Sequence, residues 1–446
     1  MTYLETRRHE LRKRRILMVD GNLTQNLQTV EAGASARVYD GGYWGFASTN
    51  DASPAGIERV TAQARQNAAA MARFGAKDAK PLPGGSYRGE HVFTGRPALA
   101  QNEIVQRLSE IAAWCKQRYP DLKSTRIILH DEHHTKRLTT STGSDVLNSI
   151  QRAACLVTFT AEGADGAPVE LPEFFSCKGS AADLDLSFET IGPLLDRLHT
   201  QVRDKCEAVA ARGGAHTVVL APALAGMLAH EAMGHPCEAD LVLGGAVTRD
   251  LVGQRVASDL ITMVDIAHTF RGEEVMIPVY ADDEGTPSRD AVLIKDGMLT
   301  EFMNSRETAA RMGLDPTGSA RAYGPSDEPL IRMRNTAILP GSSRLADMIA
   351  GVDDGYFLMK TGNGQADSTT EFMFGIILAY EIKDGQLGRA IKDTTLSGSA
   401  IKVLQSADAV SDDMHWSCSG YCGKKQPMVV SMGGPALRVR AHLGGE

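Results

Sequence analysis

The stretch Leu228-Ala229-His230-Glu231-Ala232-Met233-Gly234-His235-Pro236 is the turning point of this chain. An apolar helix leads into His230. Before it, helical and strand patterns alternate; after it, β signals dominate. The reading is an α+β protein. Its N-terminal part is mixed α/β with long helices, and its C-terminal part is β-rich, a curved sheet or barrel-like, and carries the helix of this stretch. Gly213-Gly214 supplies the break, giving regions 1–213 and 214–446, with a candidate subdivision of the first near 77–97.

The same nine residues carry the chemistry. Two imidazoles with a carboxylate beside the first are the parts of a zinc-hydrolase site: imidazole suits zinc, and Glu231 can take a proton from water that the metal activates. The spacing departs from H-E-x-x-H, whose histidines at i and i+4 share a helix face. Here the second is at i+5, about 140° round an ideal helix. Gly234 tolerates a non-helical backbone and Pro236 biases His235 away from the α region. The helix therefore either ends near Gly234 or carries a one-residue π-bulge. A third ligand is needed, leaving one position open for water. Cysteine is the natural candidate, and Cys237, Cys418 and Cys422 all have workable spacing.

Upstream, Ala34–Thr49 reads as a hairpin about Asp40-Gly41. Ser53 and Pro54 open a helix that runs to Phe74 before Gly75. Residues 77–95 read as a connection. Helices follow over 98–119 and 187–211, the latter interrupted early by Gly192-Pro193, with strands over 125–130 and 153–160. Downstream, hairpins centre on Asp296-Gly297 and Asp384-Gly385, and strands cover 330–339 and 427–439.

Composition sets the outer limits. The 446 residues are 43% hydrophobic and 23% charged, an ordinary folded protein of two or three domains. A net charge of −8 argues against nucleic acid as the main partner. The basic cluster Arg7, Arg8, Arg12, Lys13, Arg14 and Arg15 reads as the solvated face of a first helix. The longest apolar stretch, 218–229, is too short to span a membrane. No secretory signal is recognisable, and seven scattered cysteines are no disulfide framework. A soluble cytoplasmic protein is expected. His130, Glu132 and His134 would share one face of a strand; a second metal site is conceivable, and a polar strand end at solvent is the plainer reading. Asp282-Asp283-Glu284-Gly285 reads as a turn before Thr286-Pro287 rather than a Ca²⁺ or Mg²⁺ site.

Taken together, the motifs resemble those of the TldD/PmbA family of metallopeptidases, on the TldD-type catalytic side. The resemblance covers most of the chain. It rests on Glu31–Arg37, Gly45–Ser48, His230–His235 with Glu238 and Asp240, Asp282–Ser288, Arg332–Thr336, Glu371–Phe374, Cys422-Gly423-Lys424 and Gly434-Pro435, in that order. It implies a cytoplasmic Zn²⁺ peptidase with His230, His235 and Cys422 as ligands and Glu231 as general base. It further implies small or unfolded peptides as substrates, and a closed dimer, either of identical chains or with an inactive PmbA-like partner. Neither membrane nor nucleic acid is expected to bind. The rival readings are a non-catalytic regulator or scaffold with a closed four-ligand zinc, and a zinc hydrolase of another amide in natural-product maturation.

Overall fold

The computed structural model describes residues 2–75, 80–418 and 420–445. Its first half is built on one antiparallel sheet with very long strands: β1 (Tyr3–Val19), β2 (Asn22–Asp40), β3 (Tyr43–Thr49), β5 (Ser124–Thr140), β6 (Asp145–Glu162) and β7 (Pro168–Lys178), plus the parallel edge strand β4 (Arg88–Val92). The order is β3-β2-β1-β5-β6, with β4 and β7 each pairing part of β6. Gly41 and Gly42, both at positive φ, form the two-residue turn between β2 and β3, one residue beyond the expected centre.

Helix α1 (Pro54–Met71) starts where Ser53 caps it, its side chain accepting from Gly56 N. Val60, Ala64 and Ala68 then pack on Ala36 and Val38. Helices α2 (Gln101–Arg118) and α3 (Phe188–Cys206) cover the middle of the same sheet. Ile104, Leu108, Ile111, Leu195 and Leu198 meet Ile16, Ile127, Leu129, Val157 and Phe159 there. Helix α3 is shorter than expected, ending at Cys206, and Pro193 lies inside it without breaking it. Of the 77–95 connection, residues 77–79 lie outside the described residues.

The N-terminal segment is a strand, not a helix. Tyr3, Glu5, Arg7, His9 and Leu11 are buried in strict alternation, the period of a strand. The cluster of basic residues is thereby split. Arg8 and Arg12 face solvent, whereas Arg7 is 3% exposed and donates to the Gly324 and Asp327 carbonyls. Alternation also sorts β5: Ile127 and Leu129 face the helices, while Glu132 and Lys136 face the second half of the chain.

That second half begins with β8 (Gly214–Leu220). Strands 354–366, 214–220, 437–443, 394–399 and 371–383 pair in turn, and the last closes on the first, making a five-stranded barrel. A second sheet runs 298–299, 291–295, 263–266, 335–338, 431–434 and 415–417. The expected hairpin turns are present, with Asp296, Gly297, Asp384 and Gly385 all at positive φ. Helix α4 (Pro222–Met227) and the turns after it lie in the core that barrel and second sheet share, with Leu224, Leu228, Ala229, Ala232 and Met233 at 0–1% exposure.

Candidate metal centre

The backbone solves the i+5 problem by widening the helix. Residues Leu228–Gly234 form a π-helical turn, and the His235 N–H donates to the His230 carbonyl. Five-residue hydrogen bonding sets residues five apart near one another. His230 and His235 consequently have ring centroids 5.2 Å apart. Neither glycine nor proline ends the helix here, since Gly234 (φ −64, ψ −52) and His235 (φ −60, ψ −47) are both helical. Gly234 is required for space instead: a Cβ on it would stand 2.2 Å from the Met333 sulfur. A 3₁₀ turn follows over His235–Cys237, and extended Glu238 stops it.

The third group arrives from far along the chain. Cys422 sits in a two-residue strand, Tyr421–Cys422, paired with Met428–Val429. Its Sγ is 3.2 Å from His235 Nε2. One ligand atom each from His230, His235 and Cys422 lies within 4.8 Å of the others. Cys237 and Cys418 do not join them. Both are fully buried thiols, pushed up by burial to about 12 and about 11 respectively. For Cys422, burial acts in the same upward direction, but the neighbouring His230 and His235 imidazoles outweigh it and lower the thiol to about 4. For His235, burial is likewise overcome, by Glu238 and Cys422, and the imidazole rises to about 10. The lowered thiol favours the thiolate, the form that binds metal.

The donor set fits a metal ion on a further count. Both ring nitrogens of His230 are buried without a hydrogen-bond partner, a costly arrangement for a polar group in a core. Glu231 stands beside both rings, its oxygens 3.9 Å from His230 Nε2 and 3.8 Å from His235 Nε2. Its side chain is 23% exposed and so reaches the solvent side of the cluster.

Residues around this group hold it in place. Glu238 Oε2 accepts from His235 Nδ1 at 2.8 Å and from Lys424 Nζ at 3.1 Å, and Lys424 also reaches Asp240. A carboxylate on the remote nitrogen fixes tautomer and ring orientation. The buried Arg332 donates to the carbonyls of Cys422, Lys424 and Gln426. Sequence reasoning gave Glu238, Lys424 and Arg332 no role. The carboxylate three residues past His235 was the available signal for the first; nothing local pointed to the others.

Of two expectations about polar residues, the strand end at solvent is corrected and the turn is present. His130, Glu132 and His134 do share a face, but it is packed against the second half of the chain, and Glu132 is 3% exposed. The Asp282–Gly285 segment is a turn, with Asp282 accepting from the backbone of Glu284, Thr286 and Ala320. It is buried, however, and its charges are engaged by the first half: Asp283 with Lys136, and Glu284 with Arg37. Carboxylates so occupied are not free for a cation.

Relatives of the chain define its family. The family model described as PmbA/TldA metallopeptidase C-terminal domain matches residues 213–444, and PmbA/TldA metallopeptidase domain 1 matches residues 4–68. A metalloprotease of Methanothermobacter thermautotrophicus is 30% identical over 99% of this chain and 95% of its own. A zinc metalloprotease TldD homolog of Saccharolobus solfataricus is 30% identical over 76% of this chain and 75% of its own. The fold is that of TldE from Thermococcus kodakarensis, with a TM-score of 0.75 at 18% identity over 98% of this chain and 96% of that one. A thiolate and two imidazoles gathered on this α+β scaffold accord with a metallopeptidase class. The chain belongs to the PmbA/TldD metallopeptidase family.

Among the described residues, no helix is long and apolar enough to cross a membrane.

Proposed function

We propose that this chain is a TldD-type, catalytic zinc peptidase acting on small or unfolded peptides, with residues 214–446 as the catalytic region and 1–213 as its support. The observation that carries the reading is the convergence of His230, His235 and Cys422 within 4.8 Å, with Glu231 flanking both imidazoles. Three protein ligands leave a position open, as catalysis requires. Cys237 and Cys418 stand outside the group, which favours an open site over a closed structural one.

Bound at these three side chains, zinc would supply Lewis-acid activation of water and of the scissile carbonyl. The chain's own residues do the rest. Glu231 holds a carboxylate at the mouth of the cluster, takes the proton of the attacking water and passes it to the leaving amine. Glu238 keeps His235 presenting Nε2, and Lys424 holds Glu238 in turn. The barrel and second sheet keep the cluster largely out of bulk water, with His230 at 1% exposure. Extended peptides suit a β-rich surround, where strand addition reads backbone rather than side chains. A dimer, of this chain with itself or with a PmbA-like partner, would enclose the cleft, and cytoplasmic location accords with seven free cysteines.

The test is to measure zinc per chain as purified and then peptide cleavage by wild type and Glu231→Gln, alone and with a partner subunit. We expect close to one equivalent in both proteins, and cleavage reduced about 10²–10⁴-fold in the variant. Cleavage by Glu231→Gln at the wild-type rate would defeat the assignment.

A further inference from the structure

The polar face of β5 has no part in the donor set, yet it reaches Tyr421, the neighbour of the donor that arrives last. Glu132 Oε2 accepts from the Tyr421 hydroxyl at 2.5 Å and from the Tyr323 hydroxyl at 3.2 Å. Its other oxygen lies 3.4 Å from His134 Nε2 and 3.7 Å from the Arg152 guanidinium. Arg152 stands directly opposite Glu132, on β6. It donates to the Cys418 carbonyl at 2.6 Å and lies 4.6 Å from the centre of the Tyr421 ring. Tyr421 is the residue before Cys422. From the other side, Arg332 holds the Cys422 carbonyl.

The segment needs such help. Cys422 is flanked by Gly420 and Gly423, and neither glycine has a neighbour within 4 Å of where a Cβ would stand. Its strand is two residues long. Glycine-flanked backbone has little conformational preference of its own, so the accuracy of the sulfur's position must be imposed from outside. The atoms that impose it on the near side belong to the long sheet of the first half, beyond the 213–444 stretch that contains all three donors.

We propose that Glu132 is a positioning residue for the third donor: through Tyr421, and together with Arg152, it fixes Cys422 where the two imidazoles can share an ion with it. This rests on the reading of His230, His235 and Cys422 as metal ligands. The N-terminal sheet is then part of the metal centre without supplying a ligand, and loss of its grip shows as looser metal rather than as a missing donor.

The experiment loads the full chain with Co²⁺ and follows the thiolate-to-cobalt absorption band, the rate of metal release to a chelator, and Tm. Glu132→Gln leaves Arg152 without its carboxylate and endangers folding. Tyr421→Phe therefore carries the test, since it removes one hydroxyl from a side chain 43% exposed. The expected result is a shifted or weakened band and release about 10-fold or more faster, with Tm close to wild type. Lys205→Met, at a buried amine whose partners are Ile377 and Asp393, should lower Tm and leave band and release rate unchanged. Cys422→Ser should abolish the band. If it does, while Tyr421→Phe and any folded Glu132→Gln match wild type in spectrum and release, the positioning role is overturned. A band that survives Cys422→Ser overturns the ligand assignment, and this proposal with it.

Discussion

Gly234 shows how a residue can be singled out for one reason and needed for another. From the sequence it is a place where a helix can end. In the structure it is helical, and its missing side chain makes room for Met333, which is 1% exposed. Gly234→Ala should therefore cost about 1–3 kcal/mol of stability by overpacking, measured by urea unfolding. Combined with Met333→Ala it should cost less than the sum of the two single changes, because the same space is contested. Glu238 makes the complementary case. It is 0% exposed and pairs with His235 and Lys424. Glu238→Gln should weaken metal binding about 10–100-fold, read by competition with a chromogenic chelator. A wild-type affinity would mean that the His235 ring is oriented by its packing alone.

At the scale of elements, turn chemistry was legible and buried charge was not. Asp296-Gly297 and Asp384-Gly385 declare their hairpins because the turn itself demands those residues. Ser53-Pro54 declares a helix start for the same local reason. The first strand was hidden because Glu5, Arg7 and His9 face inward, and charges are expected inside only when partners are known. Those partners lie on other elements: Arg37 for Glu5, the Gly324 and Asp327 carbonyls for Arg7, and His134 for His9. The π-turn was half legible: the i+5 spacing required either a bulge or an ending, and only the surrounding core chooses between them. The second sheet carries the most extreme buried pair, Arg334 with Asp265, both 0% exposed and joined at 2.8 Å. Asp265→Asn should lower stability by about 3–5 kcal/mol, because the guanidinium is left without its counter-charge; a change under about 1 kcal/mol in urea unfolding would contradict this.

Over the whole molecule, the two halves are joined by charge as well as by apolar contact. Asp283 on the second half takes Lys136 from the first. Burial would raise its carboxyl, but Lys136 and Arg7 outweigh burial and hold it below the usual range. A depressed carboxyl stabilises the fold fully above its unfolded pKa, about 3.9, and stops doing so as pH falls through the folded value. The Tm gap between wild type and Asp283→Asn should thus be widest near neutrality and narrow below about pH 4. Metal acts at the same scale. Zinc at about a thousand times its Kd should stabilise the chain by about 4 kcal/mol, seen as a chelator-sensitive rise in Tm. The donors themselves have an order in time. His235 and Cys422 are 187 residues apart in sequence, so the chain between them must be made and folded back before the sulfur reaches the imidazoles. A ribosome-bound chain that has not yet made Cys422 carries two histidines and no complete centre. The peptidase chemistry proposed for this fold would therefore switch on only in finished molecules, and unfolded chains being made alongside it would be safe from copies still in synthesis.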